Sequence, residues 1–191
     1  RSDAPPGLQL VAAPDAGVCR LRWHSHGPQG WLRHAQASLS APEGQPRDAP
    51  VFTPSPGEPI GTEAFYAALE QRGVVFGATL QSIAEARLGP GLATAQLRRP
   101  EADTSAHLNL VAPPWALDAC FQLAVAALPG PELWIPQSIA AVRWTGSSAL
   151  PQRVQVSQRL GAEGTCAQVD VTLWSEDGVL LQLRGMQLLH L

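Results

Sequence analysis

The sequence predicts an α+β fold in which an antiparallel sheet wraps around one buried helix. Two observations predict it. The stretch Trp115 to Leu128 follows Pro113-Pro114, is apolar on nearly every face and stops at Pro129-Gly130. After it come four segments with strand character, divided by turn residues. A helix that is apolar all round must be enclosed, and strands following in series can enclose it. With 191 residues and 45% hydrophobic composition, the chain can fill such a core.

Taken in order, the first forty residues read as strands. Leu8 to Val11 is a short apolar run, and Val18 to Trp23 alternates Val18, Arg20, Arg22 against Cys19, Leu21, Trp23. Trp31 to Leu39 follows the turn-like Gly27-Pro28-Gln29-Gly30. Residues 41–60 hold six prolines, with Pro-Ser-Pro-Gly at 54–57, and read as an exposed linker crossing the surface. Thr62-Glu63 opens a helix with Phe65, Ala68 and Leu69 on one face, and Gly73 is placed to end it. Val74 to Leu88 carries no clear period, and Leu92 to Leu97 reads as a strand. The four later strands are Ile139 to Trp144, Arg153 to Leu160, Ala167 to Trp174 and Val179 to Leu189, the last pair joined by Ser175-Glu176-Asp177-Gly178. This is the hot-dog arrangement. The division expected is 1–40 as strands, 41–60 as linker and 61–191 as the unit with the enclosed helix.

Composition narrows the function. A net charge of -3 and a pI near 5.9 carry no electrostatic footprint for nucleic acid or an anionic membrane. All 13 basic residues are Arg, a bias expected of GC-rich coding. Cys19, Cys120 and Cys166 are odd in number and far apart, so neither a disulfide framework nor a zinc site fits; they are expected to be buried free thiols. No apolar run approaches the roughly 20 residues that span a bilayer. The opening RSDAPPG has no apolar core of a signal peptide, so a soluble, cytoplasmic protein is expected. The six tryptophans (23, 31, 115, 134, 144, 174) are spread over different elements and are expected in the core, with Trp115 near enough to Asp118 to line the same pocket.

Asp118 is the residue to explain. It lies in Ala116-Leu117-Asp118-Ala119-Cys120-Phe121-Gln122, where Gln122 at i+4 shares its helix face. Burial would raise its pKa and suit it to donate a proton, whereas the nearby helix N-terminus would lower it. On this pattern alone, a helix-rim acid stabilising the dipole is the favoured reading over a catalytic one.

Pro114-x-x-Leu117-Asp118-Ala119-x-x-Gln122 resembles the HPxxLDAxxQ signature of polyketide-synthase dehydratases. Three further segments are similar to that family in the same order. Gly73 to Gln81 looks like GxxYGPxFQ, Trp134 to Ile139 with Val142-Arg143 looks like LPxxIxxVR, and Trp31 to Ala35 looks like the end of the family's first hot-dog. The resemblance implies two hot-dog halves sharing one site, with 1–40 the terminal strands of the first hot-dog, 41–60 the linker and 61–191 the second hot-dog. A His in an HxxxGxxxxP motif of the first half removes the α-proton of a 3-hydroxyacyl thioester. The Asp of the second half protonates the departing hydroxyl. Asp118 would then be the general acid and Gln122 its orienting partner, and Phe76, Gly77, Ala78, Leu80, Pro114 and Trp115 would line the substrate site.

The same resemblance implies no metal and no organic cofactor, since the acyl chain rides on the phosphopantetheine of an acyl carrier protein. Its partners would be an N-terminal half with the catalytic His, that carrier protein and the other megasynthase domains, with homodimerisation left open. His26 to Gly30 formally matches HxxxG, but Ala35 stands where the motif's Pro belongs, so His24, His26 and His34 are read as strand or turn residues. The base is therefore expected in a segment before Arg1, with the chain a fragment of the domain. Pro113, Phe76, Ala78 and Leu80 depart from the family's His, Tyr, Pro and Phe. These departures keep two alternatives open, a dehydratase–cyclase forming an oxygen heterocycle and a non-catalytic structural module.

Overall fold

The computed structural model describes residues 7–41, 50–101, 103, 112–163 and 166–190. The chain divides into two compact units, Arg1–Asp48 and Ala49–Leu191.

The first unit is an antiparallel meander of β1 (Gly7–Asp15), β2 (Val18–Gly27) and β3 (Gly30–Ser40). Ala16 and Gly17 close the first hairpin with φ of 44° and 87°, the paired positive angles of a primed two-residue turn. A bulge at Trp23/His24 leaves His34 without a cross-strand partner in register. The ring of His34 instead shares a 2.6 Å hydrogen bond with the Ser25 hydroxyl. Trp23 and Trp31 are 38% and 55% exposed, against the expectation of core positions. A three-stranded meander has no second layer of its own to cover its face.

The second unit holds β4 (Pro59–Gly61), α1 (Thr62–Gln71), β5 (Ile83–Gly89), β6 (Leu92–Leu97), α2 (Pro114–Ala126), β7 (Trp134–Trp144), β8 (Arg153–Glu163), β9 (Cys166–Trp174) and β10 (Val179–His190). Its sheet runs β4-β5-β6-β8-β9-β10-β7, every neighbouring pair antiparallel. Helix α2 packs against the sheet, as its all-apolar surface requires. Ala116, Ala119 and Ala124 are fully buried and let the sheet approach closely. Val154, Val156, Val169, Val171, Leu173 and Leu183 meet the helix from alternate strand positions. This is the expected hot-dog. β7 starts at Trp134, five residues before the sequence pattern placed it. It pairs with β10 alone, and at such an edge Pro136 is tolerated because its missing N–H costs no ladder bond. At the β10 bulge Gly185 takes φ +59° and gives its N–H to Asp170 Oδ1 at 2.7 Å.

Two local expectations need correction. Thr62 does not cap α1: Gly61 is the N-cap residue, and the Thr62 hydroxyl donates to Ala84 O at 3.1 Å. The buried face of α1 is Phe65, Tyr66 and Leu69, while Ala68 points outward, because 65, 66 and 69 fall on one side of a 3.6-residue turn. Gly73, at φ +89°, ends the helix as expected. Its N–H bonds Glu70 O and that of Val74 bonds Leu69 O, the paired closure of a Schellman motif.

Of the proline-rich stretch, residues 42–49 lie outside those described. From Phe52 onward it is seated on the second unit. Ser55 is buried, donating to Leu92 O at 2.7 Å and accepting its own turn's Gly57 N–H, while Thr94 Oγ1 takes the Ser55 N–H. Phe52 stacks edge-on to Trp174 beneath the Arg153 guanidinium. Prolines exclude helix and central strand here, but they leave side chains free to dock.

Candidate active site

Helix α2 begins with Pro113 as N-cap residue and Pro114 at its first position, where a missing N–H is harmless. That start sets Asp118 in the second turn and Gln122 one turn further on. Gln122 Nε2 donates to Asp118 Oδ2 at 2.6 Å. Its second hydrogen goes to Leu80 O at 2.9 Å, and its Oε1 accepts the Tyr66 hydroxyl at 2.9 Å. The Tyr66 oxygen in turn accepts the Ile83 N–H at 3.1 Å. Gln122 is 2% exposed, so an incomplete set of bonds would be costly; here its amide is satisfied at both ends.

Asp118 is half-buried. Burial raises its pKa above the ordinary carboxylate value, and the Gln122 bond pulls in the opposite direction without cancelling it. Desolvation is therefore the larger of these two influences on the carboxyl. Tyr66 is raised as well, first by burial, against the lowering effect of backbone bonds at Ile83 and Ser82. Cys120, between Asp118 and Gln122 on α2, is pushed up to about 12 by complete burial and by the Asp118 charge.

The other expected site residues fall around this network in different ways. Leu80 supplies its carbonyl, which also accepts the Ser82 N–H at 2.9 Å. Gly77 O closes the turn to Leu80 N at 2.9 Å, and Phe76 O is held by Gln81 Nε2 at 2.8 Å. The Phe76 ring stands 6.0 Å from that of Tyr66. Trp115 is a core residue whose carbonyl accepts the Ser82 hydroxyl at 3.1 Å. Pro114 and Ala78 are exposed. Phe76 and Gln81 line a cavity of about 460 Å³ with Tyr66, Glu63, Glu70 and Arg98. Ala78, Gln81 and Arg98 line a second of about 410 Å³. Asp118 and Trp115 line neither.

Tyr66 is the site residue that sequence reasoning missed. The one available signal was that it is the single tyrosine of the chain, one position from the apolar face of α1. Of the histidines, His24, His26 and His34 lie on the first unit's strands, and His190 stacks on Trp134 at 5.2 Å. Among the described residues of the second unit, no hydrogen bond joins His190 to Asp118. Among all the described residues no group of three metal-binding side chains comes together. Among the described residues no helix is long and apolar enough to cross a membrane.

Comparison with known proteins agrees with this architecture. No curated protein sequence matches the chain. A trans-AT polyketide synthase dehydratase domain from Brevibacillus brevis is similar over 100% of this chain and 71% of its own, with 19% identity and a TM-score of 0.80. An inactive His-to-Phe variant of the CurJ dehydratase, solved with a bound compound, gives 20% identity and a TM-score of 0.75 over 96% and 67%. The dehydratase domain of PpsC from Mycobacterium tuberculosis, in complex with C12:1-CoA, gives 22% and 0.75 over 94% and 66%. Thus the chain spans between about two thirds and 71% of these solved domains. Residues 44–191 match the family described as the polyketide synthase dehydratase N-terminal domain, and the chain belongs to the polyketide synthase dehydratase family.

Proposed function

We propose that this chain supplies the acid side of a dehydratase site that removes water from a 3-hydroxyacyl thioester carried on an acyl carrier protein. The observation that carries the reading is the Asp118–Gln122 pair. A carboxyl in a buried helix is held on one oxygen by a fixed amide and is kept by desolvation above its ordinary pKa. Such a group stays protonated further toward neutral pH than a free carboxyl, as a general acid must.

In the proposed reaction a histidine base takes the α-proton, the electron pair forms the Cα–Cβ double bond, and the C–O bond at Cβ breaks. Asp118 gives its proton to the leaving hydroxyl, which departs as water, and the acid is left as carboxylate. Gln122 holds the carboxyl in place through both protonation states. The histidine is assigned to the rest of the dehydratase domain. Two facts support this: the solved relatives are longer than this chain, and the CurJ variant with its His replaced by Phe is described as inactive. Assigning residues 61–191 to the second of two hot-dog halves departs from the family's N-terminal designation and rests on the Asp118 segment. The acyl carrier protein and the neighbouring megasynthase domains are proposed partners on the same ground.

The test is turnover in the complete domain, or in this chain mixed with a candidate His-bearing half. A 3-hydroxyacyl carrier-protein thioester is supplied and loss of water is followed by mass. Asp118→Asn keeps the shape and the Gln122 bond while removing the acid, so dehydration should fall by about 10²–10⁴-fold, the usual contribution of such a group. Wild-type turnover in the variant would return Asp118 to a structural acid of the helix.

A further inference from the structure

The donors and acceptors around Gln122 run in one direction. The Ile83 N–H occupies the Tyr66 oxygen, so the phenol's own hydrogen is free to go elsewhere. Two acceptors lie within its reach, Gln122 Oε1 at 2.9 Å and Leu80 O at 3.4 Å, and the shorter contact takes it. Gln122 then has no hydrogen to spare, because one goes to Leu80 O and the other to Asp118 Oδ2. One line of donated hydrogens therefore runs from Ile83 through Tyr66 and Gln122 to the Asp118 carboxyl, with a side branch from Gln122 to Leu80 O. Bonds chained this way polarise one another, so a stronger donor at one end strengthens donation at the other. Among the described residues no hydrogen bond reaches Oδ1.

We propose that Tyr66 is the positioning residue of this site: its hydroxyl holds the Gln122 amide oxygen, so that Gln122 presents a polarised N–H to Oδ2 and leaves Oδ1 to carry the transferable proton. This rests on the reading of Asp118 as the acid, and Tyr66 acts only through Gln122. Among the described residues the titratable groups facing the network are few. Tyr66 comes from α1, Cys120 from α2 with its thiol turned onto Ala116 O, and Arg98 from the end of β6 acts by its charge on the phenol.

The experiment is a pH titration by NMR of this chain with ¹³C-labelled aspartate carboxyls, the Asp118 signal being identified by its loss in Asp118→Asn. In Tyr66→Phe the Gln122 donation weakens, so the Asp118 midpoint should move upward. In Gln122→Leu it should move further up, and the double variant should titrate like Gln122→Leu, because the two residues act in series. Tyr66 is the single tyrosine, so biosynthetic fluorotyrosine reaches it alone and keeps its shape. The more acidic phenol should move the Asp118 midpoint downward, a sign that loss of packing cannot produce. An unchanged midpoint with fluorotyrosine, or a Tyr66 effect that survives in the Gln122→Leu background, overturns the proposal. The titration needs no turnover, so it can fail while the Asp118→Asn turnover test succeeds, and the reverse.

Discussion

The Arg72 guanidinium closes the far end of α2, with Nη1 donating to Val125 O at 2.9 Å and Nη2 to Leu128 O at 3.1 Å. Arg72 is itself the residue that ends α1, so one side chain ties the C-termini of the two helices together. The last carbonyls of a helix have no partner within it, and α2 has no basic residue in its own last turn. A cation from α1 answers both the unmet acceptors and the negative end of the helix dipole. The side chain of Gln158 adds a third bond, to Ala127 O at 3.0 Å. Helix α2 is thus anchored at the end opposite Asp118.

Replacing Arg72 with Met keeps most of the stem and removes both donors. We expect a loss of about 1–3 kcal/mol, the range for hydrogen bonds from a charged donor to partly buried acceptors. Urea unfolding should show a lower midpoint at unchanged slope. An unaltered midpoint would mean that solvent satisfies these carbonyls equally well.

Asp118 makes the stability of the fold depend on pH in a set direction. Burial holds its folded pKa above the unfolded value, so folding takes up a proton in the interval between them. The stability this group contributes is fully present below the unfolded pKa and is lost as pH rises through the folded pKa. Asp118→Asn cannot titrate. Wild type should therefore lose ground to Asp118→Asn, in unfolding midpoint, as pH climbs from the acid range toward neutrality. A gap that stays constant would show that folding leaves the carboxyl's proton affinity unchanged, and one that moves in favour of wild type would show that the carboxylate is stabilised in the folded chain.

Gly57 sits where a side chain cannot. A Cβ there would stand 2.2 Å from Leu88 O, which is backbone and cannot step aside. Gly57→Ala should cost about 1–3 kcal/mol, as overpacking usually does, by lifting the 52–57 segment from its seat. The loss should appear together with weaker protection of the Ser55 amide from hydrogen exchange. Full stability in Gly57→Ala would mean that the segment is not fixed against β5.

The three thiols should separate by reactivity. Cys166 is exposed and Cys19 partly so, against the expectation of buried thiols, because each lies at a strand end or on the thin first sheet. Cys120 is enclosed in α2 and its thiol is held at about 12, so almost none is thiolate near neutrality. An aromatic disulfide reagent should modify Cys166 first and Cys120 only after unfolding. Labelling of Cys120 in the native chain would show that α2 opens readily.

How much of this was legible beforehand depends on whether a feature is local. Helix α2 could be read because its apolar surface and the bracketing Pro113-Pro114 and Pro129-Gly130 are contiguous. The later strands could be read because each is a short run between turn residues, although β7 began earlier than its pattern, where Pro136 obscures a strand that only an edge position permits. Asp118 and Gln122 could be paired from sequence since i and i+4 meet on any helix. Tyr66 could not, because its partner lies 56 residues away and nothing local marks that contact. The same holds for Arg72 and Val125, and for Ser55 on Leu92, where a proline-rich stretch read as free chain is held by groups distant in sequence. The pKa direction of Asp118 belongs to this second kind. From sequence the helix dipole and desolvation oppose each other with no means of ranking them. Folding half-buries the carboxyl beside Gln122, and burial then outweighs the one amide that stabilises its charge.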